Sequence, residues 1–161
     1  MFYIALVIIL LVLTVFAIFV PRMPAVLSAY AAVWVCQGAG TDWFSTGFLV
    51  FWGVATAIAL GITALVPNEV SSSRVGVPYM GGGALAGTVV GMLSNTMAGI
   101  IVGAAAGVLL GGIAFANTAA GRAVMRFPSA PFFNYLAAKG LPVVVALSMA
   151  AACVVHMLAA V

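Results

Sequence analysis

Few side chains in this chain are able to do chemistry: one histidine, two cysteines, two acids and five bases among 161 residues. His156 is the sole imidazole and lies one helical turn from Cys153 in the last apolar run. A histidine in a membrane segment can relay protons or ligate a metal. Two ligands do not complete a metal site, so neither a metal nor a cofactor is expected. The plainer expectation is a neutral imidazole making one interhelical hydrogen bond. Cys36 and Cys153 show neither zinc-type nor thioredoxin-type spacing. They read as small buried hydrophobes, with a disulfide between them left open.

Asp42 and Glu69 bracket the apolar run Phe44–Val66. If that run crosses a bilayer, about 30 Å of hydrocarbon separates them, too far for a paired acid and base. Both suit solvated helix ends. Asn95 falls in the turn Leu93-Ser94-Asn95-Thr96, where it could cap helix ends or line a polar path with Thr56, Thr88 or His156. Arg122 and Arg126 are four residues apart and would share a helical face, suited to lipid phosphates or an acidic partner. Arg22 and Lys139 suit lipid headgroups in the same way, Lys139 by snorkelling. No nucleotide loop, metal-binding helix or nucleophile elbow is present, and His156 has no carboxylate or serine beside it in the sequence pattern. An enzyme is therefore not expected.

The elements that carry these residues follow from composition. Hydrophobic residues make up 66% and charged ones 4%, against roughly 25% charged in soluble domains. Seven charged side chains cannot cover a water-soluble surface, so lipid is the natural solvent. The apolar runs are continuous and lack the alternation of a barrel strand, which selects helices. The fold class expected is all-α, a polytopic membrane bundle in one domain over residues 1–161. A net charge of +3 from scattered bases excludes a nucleic-acid footprint.

Six spanning or partly spanning helices are expected. The first is Phe2–Val20, read as a retained span because it lacks the basic n-region of a signal peptide. It ends at Val20-Pro21-Arg22-Met23-Pro24, a proline turn. The second runs from about Pro24 to Gly38 and is short, with a re-entrant segment as the alternative. Phe44–Val66 is the third, closed by Pro67. After a polar connector at 68–78 come two glycine-rich helices, Tyr79–Met92 and Ala98–Ala116. The first has about 14 residues, ~21 Å at 1.5 Å per residue, so it should cross a thinned or partly protein-lined region or fail to cross completely. Thr118–Lys139 is expected to be the longest connector, broken by Pro128 and Pro131, with Phe132, Phe133 and Tyr135 at the lipid interface. The last span is about Leu141–Val161, with Pro142 in its first turn.

Six crossings with the N-terminus outside place Arg22, Arg74, Arg122, Arg126 and Lys139 together on the cytoplasmic side, as the positive-inside rule requires. Both termini then lie on the outer side of a bacterial inner membrane. Three spans on each side of the polar connector, in halves 1–67 and 77–161, leave room for an inverted repeat.

The pattern richest in information is glycine. Gly83, Gly87 and Gly91 recur every four residues, as do Gly99, Gly103, Gly107 and Gly111. Each set forms one narrow helical stripe where a neighbouring backbone can approach closely, a glycine-zipper hairpin. Gly53, Ala57 and Gly61 repeat the idea in the third span; Ser28, Ala32 and Cys36 do so in the second, and Ser148, Ala152, His156 and Ala160 in the last. Tight helix packing, within one chain or between copies, is the expected use. A glycine-lined pore is the alternative.

The Val20–Pro24 turn, the paired stripes from Gly83 to Gly111, and Lys139 before the last apolar helix resemble the bacterial membrane family called domain of unknown function 456. The resemblance covers nearly the whole chain, although Ala25 stands where that family usually has glycine. It implies a small polytopic inner-membrane protein and no particular chemistry. Together these readings lead to an expected non-enzymatic membrane protein, a homo-oligomer or a subunit of another membrane complex, in contact with membrane lipids. A small-solute or ion transporter or channel is the alternative.

Overall fold

In the computed structural model the residues described are 2–20, 24–38, 44–65 and 75–159, and they are helical with short turns between. The expectations for Arg22, Asp42, Glu69, Arg74 and Ala160 fall outside these residues. Without water to satisfy peptide groups, a segment in lipid must close its hydrogen bonds within itself, and helices do so.

The helices are α1 (Phe2–Phe19), α2 (Ala25–Gly38), α3 (Thr46–Leu65), α4 (Val77–Met92) and α5 (Met97–Ala116). They are followed by α6 (Ala119–Val124), α7 (Ala130–Tyr135) and α8 (Leu141–Ala159). A π-helical turn, Leu136–Gly140, joins α7 to α8, so that Ala130–Ala159 is one 30-residue helix. Among the described residues four helices are long and apolar enough to cross a membrane: α1, α3, α5 and this last one. The chain is thus a helical membrane bundle with two shorter members. With 14 residues in α2 and 16 in α4, these reach only about 21 and 24 Å against a hydrocarbon core of about 30 Å.

The local reasons are legible at the ends. Pro24 precedes α2 and its carbonyl accepts the Leu27 N–H at 2.9 Å. At the other end of α2, the Gln37 side-chain oxygen accepts the Phe44 N–H at 3.1 Å, which turns the chain toward α3. Thr96 caps α5 by accepting from Gly99 N at 3.1 Å, and Thr118 caps α6 by accepting from Gly121 N at 2.9 Å.

Two expectations are overturned between residues 118 and 142. The stretch Thr118–Lys139 is not a long connector, since it contains α6 and the first ten residues of the last helix. Ser129 accepts from Phe132 N at 3.3 Å and Pro131 occupies the first turn, so these residues start a helix instead of breaking one. Phe132 and Tyr135 consequently face the core, each 1% exposed, and only Phe133 remains outside. Pro142 lies in the first turn of α8, as expected, and the π-helical turn makes that start continuous with α7.

The last helix occupies the centre. Every residue from Val145 to Cys153 is buried, as befits a helix that is apolar on all sides and surrounded. It packs against α1, α2, α3, α4 and α5. By contrast α1 buries Val7, Thr14, Ala17 and Ile18, packs Leu10 and Leu11 partly against the core, and leaves Ile9, Val12 and Phe16 exposed. Thr14 and Ser28 hydroxyls, 3.0 Å apart, tie α1 to α2.

Candidate functional site

The glycine stripes of α4 and α5 lie against each other. A methyl group on Gly83 would meet the Gly107 carbonyl, one on Gly87 the Gly103 carbonyl, and one on Gly91 the Gly99 carbonyl. The reverse holds for Gly103 and Gly107, while Gly111 faces the Tyr79 backbone. Gly99 adjoins Ser94 in the connecting turn. Only glycine allows two backbones this close, and the attraction is dispersion between atoms in direct contact. Asn95 sits exposed at the tip with φ of 54°, a left-handed conformation that asparagine tolerates. Its backbone shape is what the turn uses.

Elsewhere the glycines differ. Gly53 lets Tyr30 of α2 lie across α3: a methyl group there would stand 2.8 Å from the Tyr30 hydroxyl, which donates to Leu49 O at 3.3 Å. A methyl group on Gly61 would meet nothing within 4 Å among the described residues. The close packing expected at Gly61 is therefore not found, whereas at Gly53 the ring of Tyr30 takes the place a side chain would fill.

A cavity of about 530 Å³ lies where the C-terminal ends of α1 and α3 meet the N-terminal ends of α2 and α4 and the π-helical turn. Its walls are mainly apolar: Ala17 and Ile18 from α1, Ala25 and Val26 from α2, Leu60 from α3 and Val143 from α8. Thr63, the Ala138 backbone region and Lys139 bring the polar groups.

Pro142 explains this opening. Proline has no N–H and its ring collides with the carbonyl four residues earlier, here Ala138. The helix widens by one residue, and Leu141 N bonds to Leu136 O instead of the residue four before it. The Ala138 carbonyl then turns to α3, where the Thr63 hydroxyl approaches it at 3.4 Å while donating to Ala59 O at 2.8 Å. Gly140 makes the wide turn possible, since a methyl group there would press Val108 of α5 at 2.5 Å.

Lys139, half-buried in the π-helical turn, is a cavity residue and not merely a surface anchor. Arg122 wraps back on the end of α5, where its guanidinium donates to Asn117 O at 2.9 and 3.2 Å, a cation at a helix C-terminus. Arg126 does not share a helical face with Arg122. The helix α6 stops at Val124, and Met125 is extended and buried, so Arg126 lies past the end. His156 is half-buried with its ring edge-on to Phe44, centroids 4.8 Å apart. Neither His156 nor Asn95 lines the cavity. Among the described residues no three His, Cys, Asp or Glu side chains cluster as metal ligands.

Sequence reasoning did not reach Thr63, Ala138 or Pro142 as parts of one site. The available signal was a proline four residues after Ala138 in an unbroken apolar run. No family model, curated protein or solved structure matches this chain.

Proposed function

We propose that this is a non-enzymatic membrane protein that binds an anionic amphiphile, a fatty acid or an acidic phospholipid, in the cavity beside the π-helical turn. The carrying observation is a space of about 530 Å³ with apolar walls and Lys139 among its lining residues. That volume is within the range of roughly 300–1,000 Å³ usual for small-molecule sites. Apolar walls suit a hydrocarbon chain, and an ammonium group suits an acidic head; basic pockets between membrane helices are used this way for anionic lipids.

In this reading the cavity opens toward the cytoplasmic side of a bacterial inner membrane, with both termini outside. The support is the gathering of the basic residues at one end under six passages of the chain. Assembly with further copies or with another membrane protein would use faces other than the α4–α5 stripes, which are spent on each other. A carrier function would place its cargo in this same cavity, so binding is the property to test first.

Native mass spectrometry of the protein in mild detergent, incubated with oleate or with its uncharged glycerol ester, addresses the proposal. Leu60→Trp, which fills the space from a partly lipid-facing position, should weaken oleate retention by about tenfold, or ~1.4 kcal/mol. Lys139→Gln should remove the preference for the charged ligand, about fivefold for one cation near a head group. Equal retention by wild type and Leu60→Trp would sink the assignment.

A further inference from the structure

The polar groups of the cavity are unevenly equipped. Thr63 has a single hydroxyl proton and two carbonyls to serve: it donates to Ala59 O at 2.8 Å and approaches Ala138 O at 3.4 Å. The second demand arises at Pro142, which has no N–H to offer the carbonyl four residues before it. With its proton committed to the backbone, the Thr63 oxygen has only lone pairs left for the cavity. Ala138 is 1% exposed whereas Thr63 is exposed, so Thr63 is the acceptor that a bound molecule reaches. Lys139, next to Ala138 in the chain, lines the same cavity, and an ammonium group only donates.

We propose that the cavity selects, among anionic amphiphiles, a lipid whose acidic head also carries a hydroxyl donor, a phosphoglycerol. This inference rests on the amphiphile reading and narrows it. A phosphate diester supplies the negative charge for Lys139, and a glycerol hydroxyl donates to Thr63 Oγ1. A carboxylate, or a phosphate diester of a simple methyl group, has acceptors alone and sets an oxygen lone pair against the Thr63 oxygen. Heads that end in an ammonium group do offer donors, but they bring a second cation into the cavity lined by Lys139. The apolar walls at Ile18, Val26 and Leu60 suit acyl chain, which selects a lipid over free glycerol phosphate.

Two lipids of equal charge and equal chains separate the head groups: dioleoylphosphatidylglycerol and dioleoylphosphatidylmethanol. Each is incubated with the full-length protein in mild detergent, and free and lipid-bound protein are counted by native mass spectrometry. Wild type should retain the glycerol lipid about fivefold more tightly, the worth of one hydrogen bond. Thr63→Val should bring the two lipids level, and Thr63→Ser, which keeps a hydroxyl, should preserve the preference. Lys139→Gln should weaken both lipids alike. Equal retention of the two lipids by wild type, with both weakened by Leu60→Trp, would overturn the selection and leave the amphiphile reading standing. Indifference of both lipids to Leu60→Trp would remove that reading and this inference with it. A preference that survives Thr63→Val, or one that Thr63→Ser loses, would overturn the role given to the Thr63 hydroxyl.

Discussion

The α4–α5 hairpin and the cavity end of the bundle are built from similar residues and reach opposite results. In the hairpin, glycine at every fourth position brings two backbones into contact, and no side chain separates them. At the cavity, Ala17, Ala25 and Ala138 are nearly as small, yet the helices stay apart around about 530 Å³. Register makes the difference. Gly83, Gly87 and Gly91 oppose Gly107, Gly103 and Gly99 one for one, so contact continues along the stripe. At the other end Pro142 forces an added residue into the central helix, and the wide turn holds its neighbours off. Small residues therefore close a bundle only where their spacing matches on both helices.

The largest effect should come from breaking the matched register. Gly87→Val drives a side chain into the Gly103 carbonyl, backbone that cannot give way. We expect a loss of about 3 kcal/mol or more, seen as poor recovery of folded protein and a collapsed melting transition. Gly82, one residue off the stripe, has nothing within 4 Å. Gly82→Val should change stability by less than about 0.5 kcal/mol. Similar losses from both would mean that the stripe is not in contact.

Next in size is the start of the central helix. Ser129→Ala removes the cap on Phe132 N and should cost about 1 kcal/mol. If residues 130–139 were an irregular connector, the substitution would be silent in a thermal melt. The smallest effect sharpens the cavity itself. Thr63→Val deletes the hydroxyl that bonds Ala59 O and approaches Ala138 O. A cost of about 0.5 kcal/mol is expected from one partly solvated hydrogen bond, together with faster hydrogen exchange in the π-helical turn.

Much of this architecture is legible in the sequence because its causes are local. The apolar runs state the solvent, Pro24 and Thr96 mark helix starts, and the four-residue glycine spacing marks the two faces that meet. The region after Thr118 was misread for an equally physical reason. Pro128, Ser129 and Pro131 have the composition of a loop, but Ser129 and Pro131 are also a helix start, and their sequence alone does not separate the two. Residue type alone points Phe132 and Tyr135 to the lipid interface, whereas the continuation of the helix turns both inward. The cavity was not legible at all. It depends on how far the Leu136–Gly140 turn widens against Thr63 of another helix, a relation between residues far apart in the chain.

The contrast between a closed and an open region is tested most directly by labelling rates in liposomes. Single cysteines are placed at Val143, in the cavity wall, and at Thr88, buried in α4, with Cys36 and Cys153 replaced by serine. A small uncharged methanethiosulfonate should modify Val143→Cys at least about tenfold faster than Thr88→Cys, since reaction at a buried thiol waits on local opening. Added oleate should slow only the former. Equal rates at both positions, or a Val143→Cys rate indifferent to oleate, would contradict the account.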